Sequence, residues 1–191
     1  MTEFTHRLTR DLEPVLLLQD PSQKISAYHD MPYAIFRYDP TEELQLRIAV
    51  SGLQTRLENK GKRVTRISLA DCLTRALQTE AELQDWFELE KQFGAAKAVE
   101  DIHSLLAERV PLVDLVADLM PRDPDPKRDV ALIVRTGALF PVYRTFSLLE
   151  QLKGRVTVPT ILFYPGVLDG AAGLRFMGVL NAEHNYRPKI F

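Results

Sequence analysis

The 191-residue chain is poor in cysteine and contains no long apolar run. Cys72 is its only cysteine, so an internal disulfide and a thiolate metal cage within one chain are both excluded. No stretch approaches the roughly 18 uninterrupted apolar residues of a membrane-spanning helix. The opening residues, Met1–Arg7, lack the basic region followed by an apolar segment that marks a secretory signal. We therefore expect a cytoplasmic protein with no membrane partner.

Motifs for nucleotide hydrolysis and metal catalysis are also missing. Neither G-x-x-x-x-G-K-[ST] nor G-x-G-x-x-G occurs, and the nearest loop after a strand, Arg135–Ala138, has one glycine and no following lysine. The four histidines lack the spacing of a metal-binding pair. Asp123, Asp125 and Asp129 are spaced like carboxylate ligands, but the prolines and basic residues between them favour a solvated linker. The sequence predicts no catalytic residue, cofactor or metal.

Composition is that of a globular protein, with 46% hydrophobic and 26% charged residues. The length suits one α/β domain over 1–191. Formal net charge is −2, but it is unevenly distributed. Residues 129–191 hold 7 Lys/Arg and 4 Asp/Glu, giving +3, which leaves −5 for residues 1–128. This mildly basic end suits an acidic partner or nucleic acid, or reflects ordinary variation between halves.

A βαβ unit is predicted in the first third of the chain. Tyr33–Tyr38 reads as a strand, and Asp39 followed by Pro40 is typical of a helix start. Apolar residues at helical spacing continue to Gly61, which is a typical helix stop. Val64–Leu69 reads as the next strand. Two strands joined by one helix favour a parallel sheet.

The middle of the chain is predicted to be helical and to exceed the needs of one crossover. Residues 71–120 carry helical periodicity, and we interpret part of 79–120 as a helical insertion on the α/β core. Residues 121–128 contain three prolines in a stiff linker. One helical face of the insertion is predicted from the spacing of Leu83, Trp86, Phe87 and Phe93.

The last third predicts buried strands and edge strands. Asp129–Arg135 and Thr160–Tyr164 are continuous apolar runs, as expected of strands covered on both faces, with a helix at Pro141–Leu152 between them. Leu174–Leu180 and Tyr186–Phe191 are interpreted as an antiparallel pair at the sheet edge. The predicted fold is α/β, a largely parallel sheet of about five to six strands flanked by helices. It is compatible with a P-loop-like topology that lacks the Walker A motif.

Arginine and tyrosine mark the predicted partner-binding surface. Ligands of open parallel sheets lie beyond the carboxyl ends of the strands, where Arg135 and Tyr164 are predicted to lie. Arginine offers a planar fork for carboxylate or phosphate, and tyrosine an aromatic face. Structural ion pairs that tie loops to the sheet are the alternative role. The candidate partner-binding residues are Arg135, Arg144, Tyr164, Arg175, Tyr186 and Arg187.

Several motifs together resemble a known family. They are Tyr38-Asp39-Pro40, Gly61-Lys62-Arg63-Val64, Arg135–Pro141 with Arg144 and Leu148-Leu149-Glu150, Phe163–Gly166, Leu174–Gly178 and Tyr186-Arg187. Their order and spacing resemble the BrxB family of BREX bacteriophage-exclusion systems. The resemblance covers most of the chain and implies a small cytoplasmic component of a multi-protein defence assembly. It implies no catalytic motif to carry over, and the phosphatase-like protein PglZ is the first expected partner, with other BREX proteins beside it.

These expectations leave three functions open. The first is a non-catalytic adaptor that binds PglZ. The second is a nucleic-acid-binding accessory subunit, which the overall acidic charge and the lack of aromatics interleaved with Lys/Arg do not favour. The third is a degenerate nucleotide-binding domain that binds without hydrolysis.

Overall fold

A computed structural model describes residues 3–25, 32–170, 173–182 and 188–191. Its centre is a parallel sheet of four strands in the order β1-β4-β3-β2, and a fifth strand pairs antiparallel with the end of β4. The strands are β1 Tyr33–Tyr38, β2 Arg63–Ser68, β3 Asp129–Val134, β4 Thr160–Asp169 and β5 Gly173–Phe176. The predicted α/β class with a mostly parallel sheet is confirmed.

Helices cover both faces of the sheet. A π-helical turn joins α1 to α2, a second one follows α7, and short 3-10 turns precede α4 and follow β3. None of the helices in the described ranges combines the length and apolar character needed to cross a membrane. The helices are α1 Glu3–Arg7, α2 Glu13–Leu16, α3 Ser22–Ile25, α4 Glu43–Asn59, α5 Leu69–Glu80, α6 Leu83–Phe93, α7 Ala95–Ser104, α8 Leu112–Asp118 and α9 Thr145–Leu152.

Local signals explain the predicted βαβ unit. Asp39 accepts a hydrogen bond from the backbone N–H of Thr41 (2.9 Å), and Pro40 opens the 3-10 turn that leads into α4. Gly61, at φ 86°, reverses the chain after the helix, a conformation that glycine adopts without steric cost. The apolar face of α4 is buried through Leu46, Val50, Leu53 and Leu57. The predicted strand and helix are therefore confirmed, and β2 starts and ends one residue before its predicted bounds.

Side chains alternate between two cores along each strand. On β1, Phe36 and Tyr38 face the core beneath α1, α2 and α4, whereas Ile35 faces the core beneath α5, α8 and α9. The connection from β1 to β2 carries α4 across one face, and the connections from β2 to β3 and on to β4 carry α5–α9 across the other. Cys72 is buried in the core beneath α5, α8 and α9.

The closing strands were predicted wrongly. β4 does not end at Tyr164 but continues through Pro165 and Gly166 to Asp169, because its last residues pair with β5. The strand predicted at Leu174–Leu180 stops at Phe176, where Met177 and Gly178 turn the chain at positive φ.

The described part of the predicted last strand, residues 188–191, does not form the predicted antiparallel pair with β5. Instead, Ile190 forms a parallel bridge with Ile35 on the free edge of β1. The backbone N–H of Ile35 donates to Lys189 (2.9 Å), and that of Phe191 donates to Ile35 (2.8 Å). Residues 183–187, which include part of this predicted strand, lie outside the described residues.

The helix predicted from Pro141 begins later. A 3-10 turn follows β3, the peptide bond between Phe140 and Pro141 is cis, and the backbone reaches the helical region only at Thr145. Arg144 is thus the extended residue before α9 (φ −90°, ψ 128°), not a residue of the helix.

The middle helices match their predicted extent but not all of their predicted faces. Trp86 is buried and donates its indole N–H to the carbonyl of Leu77 (3.2 Å), which attaches α6 to α5. Phe87 and Phe93 are 56% and 61% exposed, so the predicted single apolar face is wrong. The helical-insertion interpretation of 79–120, within one domain, stays a prediction.

Candidate functional site

A crevice opens at the carboxyl edge of the sheet, between α4 and the ends of β2 and β3. Because α4 runs from the end of β1 back towards the start of β2, its first half lies at this edge. The cavity measures about 180 Å³, smaller than the roughly 300–1,000 Å³ of typical small-molecule sites. It suits a single side chain better than a nucleotide. The crevice is lined by Glu43, Leu46, Arg47, Val50, Ser51, Arg66, Ser68, Asp71, Val134 and Arg135.

Glu43 is the hub of one wall of the crevice. Its carboxylate accepts from the Nε of Arg47 (2.9 Å) and lies 3.9 Å from the Nε of Arg135. The Tyr38 hydroxyl donates to the second carboxylate oxygen. Burial and this hydrogen bond raise the pKa of Tyr38 well above its usual range. The network orients two guanidinium groups from elements far apart in the chain.

Arg66 supplies the third cation, from the opposite wall. Ile67 faces the core beneath α5, so Arg66 faces α4 instead, and its Nη1 donates to the Ser51 hydroxyl (3.0 Å). Within the described ranges Arg66 forms no ion pair, although Asp71 lines the same crevice. An exposed guanidinium has five N–H donors, so most of those on Arg66 remain available to a ligand.

The residues that line this crevice carry a net positive formal charge. Three arginines and two carboxylates line it, giving a formal charge of +1 on a chain whose net charge is −2. The N-terminus of α5 also lies there, where Ser68 accepts from the backbone N–H of Asp71 (3.3 Å). A helix N-terminus contributes partial positive charge, so the lining favours an anionic group.

Arg135 occupies this position through an unusual backbone conformation. It follows the last residue of β3 with φ 60° and ψ 31°, in the left-handed region that residues other than glycine seldom adopt. Such a conformation costs roughly 1–2 kcal/mol. The left-handed residue turns the chain sharply out of β3, and its side chain lines the crevice, 37% exposed. The structure places Arg135 at the carboxyl end of its strand, where the sequence located it.

The remaining candidate residues do not converge on this crevice. Arg144 is exposed before α9 and lines a separate groove with His103 of α7. Arg175 lies on β5, where its Nη2 is 3.5 Å from Asp169. Tyr186 and Arg187 lie outside the described residues. The described candidate residues Arg135, Arg144 and Arg175 therefore lie at separate positions on the fold and do not form one surface.

Tyr164 requires a correction. It is fully buried, and its ring packs 5.4 Å from that of Phe176. Because β4 continues past Tyr164 into the hairpin, the residue is not at a strand end and cannot contact a partner in this conformation. It stabilises the attachment of β5 instead.

Four residues of the crevice were not predicted from the sequence as site residues: Glu43, Arg47, Ser51 and Arg66. Glu43 and Arg47 have the four-residue spacing of a helical ion pair, a signal visible in the sequence. Arg66 interrupts the apolar alternation of β2. This pattern indicates that its side chain points away from the core, but it does not show which residues the side chain contacts. Their meeting depends on strand order, which the sequence did not supply.

The spaced aspartates of the Pro-rich segment do not form a metal cluster. No group of three potential metal ligands occurs in the described part of the chain. Asp129 was predicted to be solvated, but it is buried. Its carboxylate accepts hydrogen bonds from Nε and Nη2 of Arg63 (both 2.6 Å) and from the backbone N–H of Asp125 (2.8 Å), and these replace its contacts with water. Residues 121–128 contain no helix or strand, but they end in a turn and are not extended throughout.

Comparison with known proteins adds a family to this geometry. The profile of the family described as "BREX protein BrxB" matches residues 65–190. A "BREX protein BrxB" of Bacillus cereus (strain H3081.97) is 26% identical over 164 residues, covering 83% of this chain and 82% of that protein. No solved structure gives a significant match.

Proposed function

This chain belongs to the BrxB family of BREX proteins, and on that premise we propose that it is a non-catalytic adaptor that binds PglZ. Family membership makes it a component of a BREX phage-defence system, and it is the observation that carries the proposal. The adaptor role and the choice of PglZ come from the family resemblance. Other BREX proteins are the next partners to test.

Two features of the surface support an adaptor. Arg135 and Arg144 lie outside the regular elements, partly or fully exposed, and Arg175 lies on a hairpin that extends beyond the parallel sheet. Arginine is enriched in protein interfaces because its planar guanidinium pairs with carboxylates and stacks on apolar groups. These residues give PglZ accessible contacts on more than one side of the fold.

Co-purification tests the adaptor proposal directly. Tagged chain and PglZ, co-expressed from the same BREX system, are expected to elute together in size-exclusion chromatography at micromolar concentration. Absence of a complex, both with PglZ alone and with the full set of BREX proteins, would contradict the proposal. Phosphatase and nuclease assays of the purified chain are expected to give no turnover, and turnover abolished by a point substitution would contradict the non-catalytic role.

Direct nucleic-acid binding by the basic end is the alternative. Phosphate contacts would make the affinity fall steeply with salt, because bound arginines release condensed counterions. We expect the chain alone to bind duplex and single-stranded DNA weakly at 150 mM salt, a concentration at which exposed charges are screened beyond about 8 Å. Tight, salt-sensitive binding would favour the accessory-subunit role over the adaptor.

A further inference from the structure

Two apolar side chains project into solvent from α4, the helix that forms one wall of the arginine-lined crevice. Leu44 and Ile48 are 69% and 77% exposed on α4. Residues four apart share one helical face, and Arg47, which lines the crevice, lies between them in the sequence. The solvent side of a surface helix is usually polar. An exposed apolar pair next to a basic crevice therefore has the composition of an interface, in which apolar contacts adjoin a charged anchor.

The crevice supplies a matching polar anchor. Arg47 and Arg135 share the carboxylate of Glu43, whereas Arg66 donates only to the Ser51 hydroxyl among the residues described. A carboxylate entering the crevice would thus find guanidinium N–H groups already oriented by Ser51 and Glu43. Oriented donors lower the entropy lost on binding.

We propose that this crevice binds an acidic segment of a protein partner, with one Asp or Glu carboxylate on Arg66 and an adjacent apolar side chain on Leu44 and Ile48. The inference rests on the proposed adaptor function and deepens it by naming the surface and the chemistry of the segment that it holds. Arg135 and Arg47 flank the carboxylate and strengthen the positive potential around it.

A protein segment fits this surface better than a nucleic acid does. Three arginines against Glu43 and Asp71 leave the crevice one net positive charge, which suits a single carboxylate rather than the successive phosphates of a nucleic-acid backbone. The cavity of about 180 Å³ holds a side chain. Leu44 and Ile48 would gain nothing from a phosphodiester but would bury apolar area against a peptide, at roughly 25 cal/mol per Å².

The test compares variants of the full chain that change one part of the surface. Arg66→Glu reverses the anchoring charge, and Arg66→Gln removes the charge while keeping a donor for Ser51. The double variant Leu44→Ser/Ile48→Ser removes the apolar pair without changing charge. Arg122→Glu is the matched control, because it makes the same charge change at an exposed residue of the Pro-rich segment, which precedes the opposite, amino end of β3. Thermal melting establishes that each variant is folded.

Each variant is co-expressed with the other proteins of its BREX system, and the affinity for the captured partner is measured by biolayer interferometry. We expect Arg66→Glu and the double variant to weaken binding by at least about tenfold, as for a close charge pair or a central apolar contact. Arg66→Gln should lie between wild type and Arg66→Glu, and Arg122→Glu should bind like wild type. Lysine substitution of the contacted acidic residue, mapped in the partner by cross-linking, should restore binding to Arg66→Glu.

The outcomes separate this inference from the adaptor function. Full binding by Arg66→Glu and by the double variant would overturn the crevice as the site and leave the adaptor role intact. Capture of a BREX protein other than PglZ, with the same dependence on Arg66, would support the crevice and contradict PglZ as the partner. If wild type captures no BREX protein, both fail. Tight DNA binding by wild type that Arg66→Glu abolishes would overturn the protein partner in favour of nucleic acid.

Discussion

Tyr38 connects the hydrophobic core to the crevice and makes the fold sensitive to alkali. It is buried at the end of β1 and donates its hydroxyl to Glu43, and both burial and this contact raise its pKa from the ordinary 10.0. Below pH 10 the phenol is neutral in the folded and the unfolded chain. Above that pH the unfolded chain loses the proton first, so the folded state binds more protons and the free energy of unfolding falls as pH rises.

Tyr38→Phe is expected to flatten this alkaline loss. Urea unfolding of wild type and variant at neutral pH and above pH 10 measures the difference, with the wild type losing more stability between the two. Tyr143 and Cys72 have raised pKa values for the same reason, burial, and remain in both proteins, so the comparison isolates Tyr38. Parallel pH profiles for the two proteins would show that Tyr38 is not the controlling group.

The residues that carry the family resemblance have local structural roles at both ends of the sheet. In Tyr38-Asp39-Pro40, the tyrosine holds Glu43 and the aspartate caps the turn before α4. In Gly61-Lys62-Arg63-Val64, the glycine reverses the chain and Arg63 pairs with Asp129. Only the first of these motifs supports the crevice, and two of the crevice's cations, Arg47 and Arg66, were in none of the motifs.

At the scale of elements, the hairpin of β4 and β5 requires a glycine at position 166, where there is no room for a side chain. Gly166 faces Phe176 on β5, and the Tyr164 ring crosses it to reach Phe176. A Cβ at this position would lie 2.4 Å from the Arg175 carbonyl oxygen and 2.5 Å from Cε1 of Tyr164. We expect Gly166→Ala to lower the free energy of unfolding by about 1–3 kcal/mol, as overpacking does, measured by urea denaturation.

Gly52→Ala is the matched control. Gly52 lies inside α4, where a new Cβ meets only the flexible end of Arg56, 3.2 Å away. Alanine in a helix interior is more favourable than glycine by about 0.5–1 kcal/mol, so this variant should be more stable than wild type. If both substitutions act alike, the close contact at Gly166 does not determine hairpin stability.

The elements predicted well are those specified by neighbours in the sequence. β1 and the start of α4 follow from Asp39 and Pro40, whose effects extend only a few residues. β4 was predicted too short because Pro165 and Gly166 ordinarily end a strand, whereas here Pro165 still pairs with Tyr38 of β1 and Gly166 pairs with Phe176 of β5. Phe87 and Phe93 were placed on one apolar helical face with Trp86, but periodicity identifies a face without showing whether anything covers it, and both side chains are exposed.

At the scale of the whole molecule, strand order creates the candidate site. The crevice joins Glu43 of α4, Arg66 of β2 and Arg135 from the loop after β3, because β2 pairs with β3 and α4 crosses above them. Charge pattern alone predicted a basic surface in the last third of the chain. It could not show that cations of the first third complete that surface, since lateral order depends on contacts distant in sequence.

Lys62 connects three distant parts of the molecule and supplies the last prediction. It is 9% exposed, and its Nζ donates to the carbonyls of Leu18 and Lys127 (both 2.7 Å). Burial lowers its pKa, yet the two charge-assisted hydrogen bonds tie the N-terminal helices and the Pro-rich segment to the turn before β2.

Lys62→Met keeps the apolar stem and leaves both carbonyls without this donor, so we expect a loss of about 1–3 kcal/mol in the free energy of unfolding. Lys60→Met, an exposed lysine in the same turn, should change stability by less than about 0.5 kcal/mol. Urea denaturation of the two variants decides the matter, because equal stabilities would mean that the desolvation of the buried ammonium cancels its hydrogen bonds and that the three segments hold together without it.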